Sequence, residues 1–182
     1  MKIPSQAKKV FTGEIFEVYH WPQKMFDGSV ANFEMLKRPN TLQIIPTIGN
    51  KIIIAKEEQP TKKMDYTLLG GRQEKNEDPL SGAKRELLEE SGLSSNDWEK
   101  YGMFSPVHKI DWDIYYFVAR QCKKVASQKL DGGEKIELIE VNFNDFIDII
   151  LSDQYWGNDL VLRVAKLKLQ NKLDDLKTFI FK

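Results

Sequence analysis

Residues 71–93 read GRQEKNEDPLSGAKRELLEESGL, a glycine start followed by an acidic, helix-like segment. Asp78 can cap a helix whose first residue is Pro79, and Gly92 can end that helix. Helical spacing gives it one narrow packing stripe, formed by Leu80, Ala83, Leu87 and Ser91. We therefore expect a helix that packs through this stripe and leaves its other faces to polar residues.

Three glutamates fall on one face of this helix. Glu86, Glu89 and Glu90 are spaced i, i+3 and i+4, so their carboxylates repel one another and lower helix stability. A hard divalent cation with oxygen ligands offsets such repulsion. Arg85 can neutralise part of the charge with its planar fork, and Glu77 can approach from the preceding loop. A glutamate-rich face is also typical of ordinary solvated helices, so the glutamates alone leave both readings open.

The spacing of the whole segment resembles the Nudix box, G-x5-E-x7-R-E-U-x-E-E-x-G-U, where U is aliphatic. Every defined position matches: Gly71, Glu77, Arg85, Glu86, Leu87, Glu89, Glu90, Gly92 and Leu93. From average residue usage, a chance match in a chain of this length has a probability on the order of one in a million or less. The sequence is therefore identified as similar to the Nudix hydrolase family.

This resemblance implies an α/β fold, an α/β/α sandwich around a mixed β-sheet. It implies hydrolysis of a nucleoside diphosphate linked to another moiety, with Mg²⁺, or alternatively Mn²⁺, as cofactor. By motif position, the metal ligands are Glu86, Glu89, Glu90 and the main-chain carbonyl of Gly70. Arg85 and Glu77 then support the loop and the metal cluster.

The rest of the chain is similar to the branch that hydrolyses ADP-ribose and nucleoside-diphosphate sugars. Residues 10–37 are predicted to form a β-hairpin around Asp27-Gly28, within an N-terminal extension over 1–40 that precedes a hydrolase domain over 41–182. Gln59 resembles the glutamine of the branch's RQYR segment, although the flanking arginines are absent. The expected products are a nucleoside monophosphate and a sugar phosphate, with ADP-ribose as the leading substrate.

The catalytic base is expected in the acidic loop Leu130–Glu137. Glu134 matches the branch's glutamate best, Glu137 is the alternative, and Glu89 within the box is the third choice. The candidate substrate-binding residues are Gln59, Lys109 and Trp112. Lys109 also fits an ordinary surface residue and Trp112 a packing residue, so their patterns do not distinguish the two readings.

Two other functions stay open at this point. One is a Nudix hydrolase of a different substrate class, acting on dinucleoside polyphosphates or nucleoside triphosphates. The other is a non-catalytic nucleotide-sensing module, because a fold alone does not fix a function.

Composition limits the remaining possibilities. The 182 residues carry 27 Lys+Arg against 27 Asp+Glu, which argues against a broad nucleic-acid surface and favours a small-molecule nucleotide substrate. The single Cys122 excludes an internal disulfide, and no segment is apolar enough for a membrane helix, so a cytoplasmic enzyme is expected. The aromatic-rich hairpin over 10–37 predicts a homodimer.

Outside the box, the pattern alternates strands and helices. Strands are predicted at 41–48, 51–56, 66–69, 114–118 and 135–143, and helices at 144–151 and from 158 or 159 to about 170. Residues 57–65 and 94–100 read as loops.

Overall fold

The computed structural model describes residues 2–182, and Met1 lies outside the described residues. The strands are β1 (Lys8–Thr12), β2 (Glu17–Lys24), β3 (Val30–Lys37), β4 (Thr41–Ile48), β5 (Lys51–Gln59), β6 (Lys62–Thr67), β7 (Leu93–Ser94), β8 (Asp97–Phe104), β9 (Ile110–Asp111), β10 (Ile114–Arg120), β11 (Lys123–Lys124) and β12 (Lys135–Val141). The helices are α1 (Pro79–Ser91), α2 (Phe143–Ile150), α3 (Asn158–Leu169) and α4 (Leu173–Phe181).

The central sheet is mixed. Its strand order is β12-β5-β4-β10-β8, with β6 also paired to β5. β4 and β10 run parallel, whereas β8, β5, β6 and β12 pair with their neighbours antiparallel. Helix α1 packs on one face and helices α2, α3 and α4 on the other. The expected α/β/α sandwich around a mixed sheet is confirmed.

Strand β5 is buried on both faces, as strands covered by helices on each side must be. Ile52 and Ile54 face the core shared with α2, α3 and α4, whereas Ile53 and Ala55 face the core shared with α1. By the two-residue alternation of a strand, the next side chain on the α1 face is Glu57. The sheet therefore leads from an apolar core directly to a carboxylate beside the acidic helix.

The N-terminal strands form a separate four-stranded sheet of order β1-β2-β3-β9. The predicted hairpin is confirmed over residues 17–37, where β2 and β3 pair from Glu17↔Lys37 to Lys24↔Val30 around the loop that holds Asp27 and Gly28. Its predicted start at residue 10 is wrong, because Lys8–Thr12 form the separate strand β1, which pairs with β2. The side chains of Trp21 and Met35 are buried on one face of this sheet. The division of the chain at residue 40 into extension and hydrolase domain stays a prediction.

Three elements differ from the sequence expectation. Residues 57–65 are not a loop, because β5 continues through Gln59 and pairs with β6 across a tight turn. Residues 94–100 are not wholly a loop either, because β8 begins at Asp97 and pairs with β10. Helix α4 is not among the predicted helices; its buried Leu176 and Ile180 extend the core on the side of α2 and α3. Within residues 2–182, no helix combines the length and the apolar character that crossing a membrane requires.

Candidate active site

Helix α1 presents the acidic face, and its ends are built as the sequence predicts. The Asp78 carboxylate accepts hydrogen bonds of 3.1 Å from the backbone N–H groups of Leu80 and Ser81, which no helical carbonyl can reach. Pro79 is the first helical residue, and Gly92 ends the helix in the left-handed conformation. Ala83 and Leu87 are fully buried against the sheet, which fixes the rotation of the helix and thus the direction of its glutamates.

Arg85 links four groups of the box. Its guanidinium donates to both oxygens of Glu77, with Nε–Oε1 3.0 Å and Nη2–Oε2 3.1 Å. Its Nη1 donates to Glu86 at 2.9 Å and to Glu89 at 3.0 Å, and its Nη2 donates to the Arg72 carbonyl at 3.2 Å. The Glu77 hydrogen bonds raise the pKa of Arg85, and Arg85 in turn lowers the pKa of Glu77. Arg85 therefore acts as a fixed cation between the loop carboxylate and the helix carboxylates.

Glu90 lies deepest, with 6% of its surface exposed. Its carboxylate accepts a hydrogen bond of 2.6 Å from the backbone N–H of Gly70. The flanking carbonyls of Leu69 and Gly71 accept from Ile44 and Leu42 of β4, so the segment before the box is pinned to the sheet. The structure thus brings Gly70 and Glu90, two of the predicted ligands, into contact.

Two consecutive glycines are required by this packing. Gly70 has φ +137°, a conformation that other residues rarely adopt, and a side chain there meets the Leu42 carbonyl. A Cβ on Gly71 lies 2.6 Å from the Glu86 carboxylate. The first box glycine therefore gives the second box glutamate its space.

Negative charge is concentrated at this site. Burial raises the pKa of Glu90 well above its usual value, and the charges of Glu86, Glu57 and Glu134 raise it further, against the opposing Gly70 hydrogen bond. Burial likewise raises the pKa of Glu86 despite the contact with Arg85. Burial also raises the pKa of Glu57, to which the Glu134 charge adds. The carboxylates of Glu57, Glu86, Glu90 and Glu134 therefore lie close enough to act on one another electrostatically, and we call this group the acidic field.

The segment between β10 and β12 is anchored on the C-terminus of α1. The Gln128 amide donates to the Glu90 carbonyl at 2.7 Å, the Lys129 N–H donates to the Glu89 carbonyl at 2.8 Å, and Lys124 Nζ donates to the Ser91 carbonyl at 2.6 Å. These contacts satisfy carbonyls that a helix end leaves free. They also place the following residues, Leu130–Glu134, beside the glutamate face.

A cavity of about 220 Å³ lies between the box and this segment. It is lined by Gly71, Arg72, Gln73, Glu74, Arg85, Glu86, Glu89, Glu90, Lys129, Asp131 and Glu134. Glu134 is half-buried there, in a turn closed by its N–H to the Asp131 carbonyl at 3.0 Å. Glu137 is an exposed residue of β12, opposite Lys56 of β5, and is not part of the lining.

The three candidate substrate residues lie outside this lining. Gln59 donates to the Glu57 carboxylate at 2.6 Å, so its amide contacts the acidic field indirectly. Lys109 Nζ lies 4.4 Å from the centre of the Phe33 ring, beside the N-terminal sheet. Trp112 donates to the Thr41 hydroxyl at 3.0 Å and stacks against Arg38. A role for any of them in binding substrate stays a prediction.

Sequence reasoning missed six residues here, namely Glu57 beside the cavity and Arg72, Gln73, Glu74, Lys129 and Asp131 in its lining. Glu57 follows Ile53 and Ala55 at two-residue spacing, a signal that was lost because residues 57–65 read as a loop. Arg72 and Lys129 bring positive charge to the cavity, yet single cations in loops carry no distinguishing pattern.

The acidic side chains that line the cavity fit a hard divalent cation, because such a cation prefers carboxylate oxygens as ligands. Among the described side chains, Arg85 is the only cation that contacts these carboxylates. Within residues 2–182, no three metal-ligating side chains already converge on one point. Glu86 and Glu89 instead accept hydrogen bonds from Arg85, and Glu90 accepts one from the Gly70 N–H.

A second cavity, of about 280 Å³, lies near β7 and β11. Its buried cation, Arg120, is already paired with Asp97 at 3.0 Å and Glu99 at 2.6 Å. None of the residues that line it belongs to the box.

Three known proteins are similar to this chain in sequence or in fold. The chain is 27% identical over 172 residues to a methanol dehydrogenase activator of Bacillus methanolicus, covering 92% of this chain and 93% of that protein. It is 25% identical over 175 residues to an ADP-ribose pyrophosphatase of Bacillus subtilis (strain 168), covering 93% and 94%. A crystal structure of an ADP compounds hydrolase superposes with a TM-score of 0.69 at 20% identity, over 92% of this chain and 95% of that one. Residues 37–160 match the NUDIX domain, a span that contains the whole box and Glu134, and the chain therefore belongs to the Nudix family of hydrolases.

Proposed function

We propose that this Nudix hydrolase is a Mg²⁺-dependent pyrophosphohydrolase that cleaves ADP-ribose or another nucleoside-diphosphate sugar. Mn²⁺ is the alternative cofactor. The observation that carries the proposal is the meeting of three helix glutamates, Arg85 and Glu134 around one cavity, with Glu77 paired to Arg85 behind them. The printed name of the Bacillus subtilis relative, an ADP-ribose pyrophosphatase, supports the substrate class.

Glu86, Glu89 and Glu90, with the Gly70 carbonyl, would hold the metal in this proposal. A divalent cation bound there neutralises diphosphate charge and lowers the pKa of a water molecule. Arg85 contacts Glu86 and Glu89 through Nη1, and its bidentate pairing with Glu77 keeps the guanidinium from competing fully for those carboxylates. Glu77 and Arg85 therefore set how much negative charge the helix offers.

Glu134 takes or directs the proton of the attacking water. It lies in the cavity lining and follows Gly132 and Gly133, which leave the turn free to adjust over a substrate. The water then attacks one phosphorus in line, the bridging oxygen leaves with the other phosphoryl group, and two phosphate monoesters form. For ADP-ribose these products are AMP and ribose 5-phosphate.

Arg72 and Lys129 are proposed to contact the substrate diphosphate. Both line the cavity, and a guanidinium and an ammonium are the side chains that bind phosphate oxygens best. They take the place of the RQYR arginines that the sequence lacks. Gln59 is proposed to hold Glu57, while Lys109 and Trp112 remain candidates for the part of the substrate that extends toward the N-terminal sheet.

We further propose that residues 1–40, of which Met1 lies outside the described residues, form a dimerisation extension. Val10, Phe11 and Val30 on its strands are 52%, 58% and 67% exposed, a large apolar area for one small sheet. The cytoplasmic location also remains part of the proposal, with the unpaired, buried Cys122 as its support.

A substrate panel tests the function. ADP-ribose, nucleoside-diphosphate sugars, dinucleoside polyphosphates and nucleoside triphosphates are each incubated with the protein, with Mg²⁺ or with a chelator, and the products are separated by chromatography. We expect metal-dependent release of a nucleoside monophosphate and a sugar phosphate. Preferred cleavage of a polyphosphate, or turnover of none of the panel, contradicts the proposal.

A further inference from the structure

We infer that Gln73, an undefined position of the box, is a positioning residue that sets the metal affinity of the glutamate face through Glu77 and Arg85. The inference rests on the proposed function, because it assumes that this face binds a divalent cation. It adds a residue that neither the motif nor the cavity chemistry assigns.

The Gln73 side chain uses both ends of its amide. Its Oε1 accepts a hydrogen bond of 2.8 Å from Asn40 Nδ2, and its Nε2 donates to the Glu77 carbonyl at 2.5 Å. Its backbone N–H also donates to the Asn40 carbonyl at 2.9 Å. Gln73 therefore ties the loop before α1 to the start of the central sheet at two points.

Asn40 is itself fixed from the sheet side. Its Oδ1 accepts a hydrogen bond of 2.9 Å from the backbone N–H of Asp113, and the carbonyl of Asp113 accepts from the Thr41 N–H at 3.0 Å. Asn40 thus sits between the first residues of β4 and β10. The amide of Gln73 is therefore anchored beside the starts of two neighbouring strands of the central sheet.

The other end of the chain of contacts reaches the proposed metal ligands. Glu77 is held by Gln73 at its carbonyl, and its carboxylate grips Arg85 through both oxygens. Arg85 then contacts Glu86 and Glu89 with a single nitrogen, Nη1. The sequence of contacts runs without a break from the Asp113 backbone through Asn40, Gln73, Glu77 and Arg85 to Glu86 and Glu89.

The direction of the effect follows from the sharing of Arg85. While Glu77 is held in place, its carboxylate accepts hydrogen bonds from two of the five N–H donors of the Arg85 guanidinium and keeps that positive charge near the loop. If the hold on Glu77 loosens, the guanidinium is free to pair more fully with Glu86 and Glu89. It then competes with a cation for the same oxygens, so loss of the Gln73 amide weakens metal binding.

The test is Mn²⁺ binding to the substrate-free protein, measured by electron paramagnetic resonance or calorimetry for wild type and Gln73→Met. The methionine side chain has similar length and cannot make either amide contact. We expect the dissociation constant for Mn²⁺ to rise about tenfold, the usual scale for removing a group that orients a ligand.

Two further variants keep the result interpretable. Lys75→Met changes an exposed residue of the same loop and is expected to leave Mn²⁺ affinity unchanged. Asn40→Ala removes the anchor, and combined with Gln73→Met it is expected to add little, because both break one chain of contacts. If Gln73→Met unfolds, Asn40→Ala alone carries the same expectation for Mn²⁺.

The outcomes separate the two levels of the proposal. Wild-type protein that neither binds Mn²⁺ nor requires metal for hydrolysis overturns the proposed function. Wild-type protein that binds Mn²⁺, while Gln73→Met binds it equally well at matched thermal stability, overturns only the role of Gln73. Fully additive effects of Asn40→Ala and Gln73→Met also overturn it.

Discussion

The Glu90 carboxylate accepts a hydrogen bond from the backbone N–H of Gly70, a residue twenty positions earlier in the chain, at 2.6 Å. This contact closes the box loop onto its own helix and brings together a carboxylate and a main-chain segment that both serve as proposed ligands. This hydrogen bond favours ionised Glu90, which burial and neighbouring carboxylates disfavour. A divalent cation bound at this site would reduce the repulsion between Glu90 and the neighbouring carboxylates.

Replacing Glu90 by Gln is expected to lower kcat by about 10²-fold or more at saturating Mg²⁺, since metal activation of water supplies several kcal/mol. The amide keeps the shape and still accepts from Gly70, so the loss reports on the charge alone. Glu86→Gln should behave alike. Steady-state kinetics measure the effect, and near-wild-type rates in both variants would end the proposed metal assignment.

The Glu90→Gln substitution should stabilise the metal-free protein against unfolding at neutral pH. The pKa values of Glu86 and Glu90 are raised above 4.5 in the folded state, so between the unfolded and folded pKa the native state binds more protons. Stability from these groups is therefore present at low pH and is lost as pH rises through that window.

We expect the melting temperature of Glu90→Gln, measured with a chelator, to exceed that of wild type by a margin that grows as pH rises from the ordinary glutamate pKa toward neutral pH. Added Mg²⁺ should shrink the difference, because it stabilises only wild type strongly. A difference that is constant with pH, or that grows with Mg²⁺, would contradict the raised pKa values as its origin.

The sequence predicted the helix and its glutamate face because their determinants are local. Asp78 and Pro79 start the helix, Gly92 ends it, and the spacing of Glu86, Glu89 and Glu90 fixes their common face whatever surrounds them. The placement of Arg85 between Glu77 and the helix carboxylates also follows from short separations in the chain.

Contacts between segments that are distant in the sequence could not be predicted in the same way. Glu57 enters the acidic field only because β5 continues past Lys56 beside α1, which requires β6 and β12 as partners. Lys129 reaches the cavity because the segment before it is anchored on helix carbonyls. Asn40 precedes β4 and Gln73 lies in the loop before α1, and nothing in their local sequence indicates that their amides meet.

Lys129 offers a test of substrate recognition. Lys129→Ala should raise KM for the diphosphate substrate with a smaller change in kcat, because an exposed ammonium binds phosphate charge in ground state and transition state alike. The effect should weaken as salt concentration rises. Lys123→Ala, in the second cavity, is the matched control and should leave KM unchanged. An equal effect of both substitutions would show that only net charge matters.

The N-terminal sheet is expected to form the contact of a homodimer. Light scattering at micromolar concentration should give twice the monomer mass of 21.2 kDa. Val30→Ser should weaken the dimer, whereas Val125→Ser should not, although the two valines are 67% and 61% exposed. A monomeric wild type refutes the dimer, and an equal response of the two variants places the interface elsewhere.

The base assignment distinguishes two glutamates three residues apart. Glu134 lines the cavity in a turn after two glycines, whereas Glu137 is exposed on β12, where its neighbour across the sheet is Lys56. Glu134→Gln should lower kcat by about 10²-fold, the scale of a lost general base, with little change in KM or melting temperature. Glu137→Gln is the control and should keep its rate. If Glu137→Gln is the impaired variant, the base is Glu137 and not Glu134. If neither variant is impaired, the base lies elsewhere, and Glu89 within the box is the remaining choice.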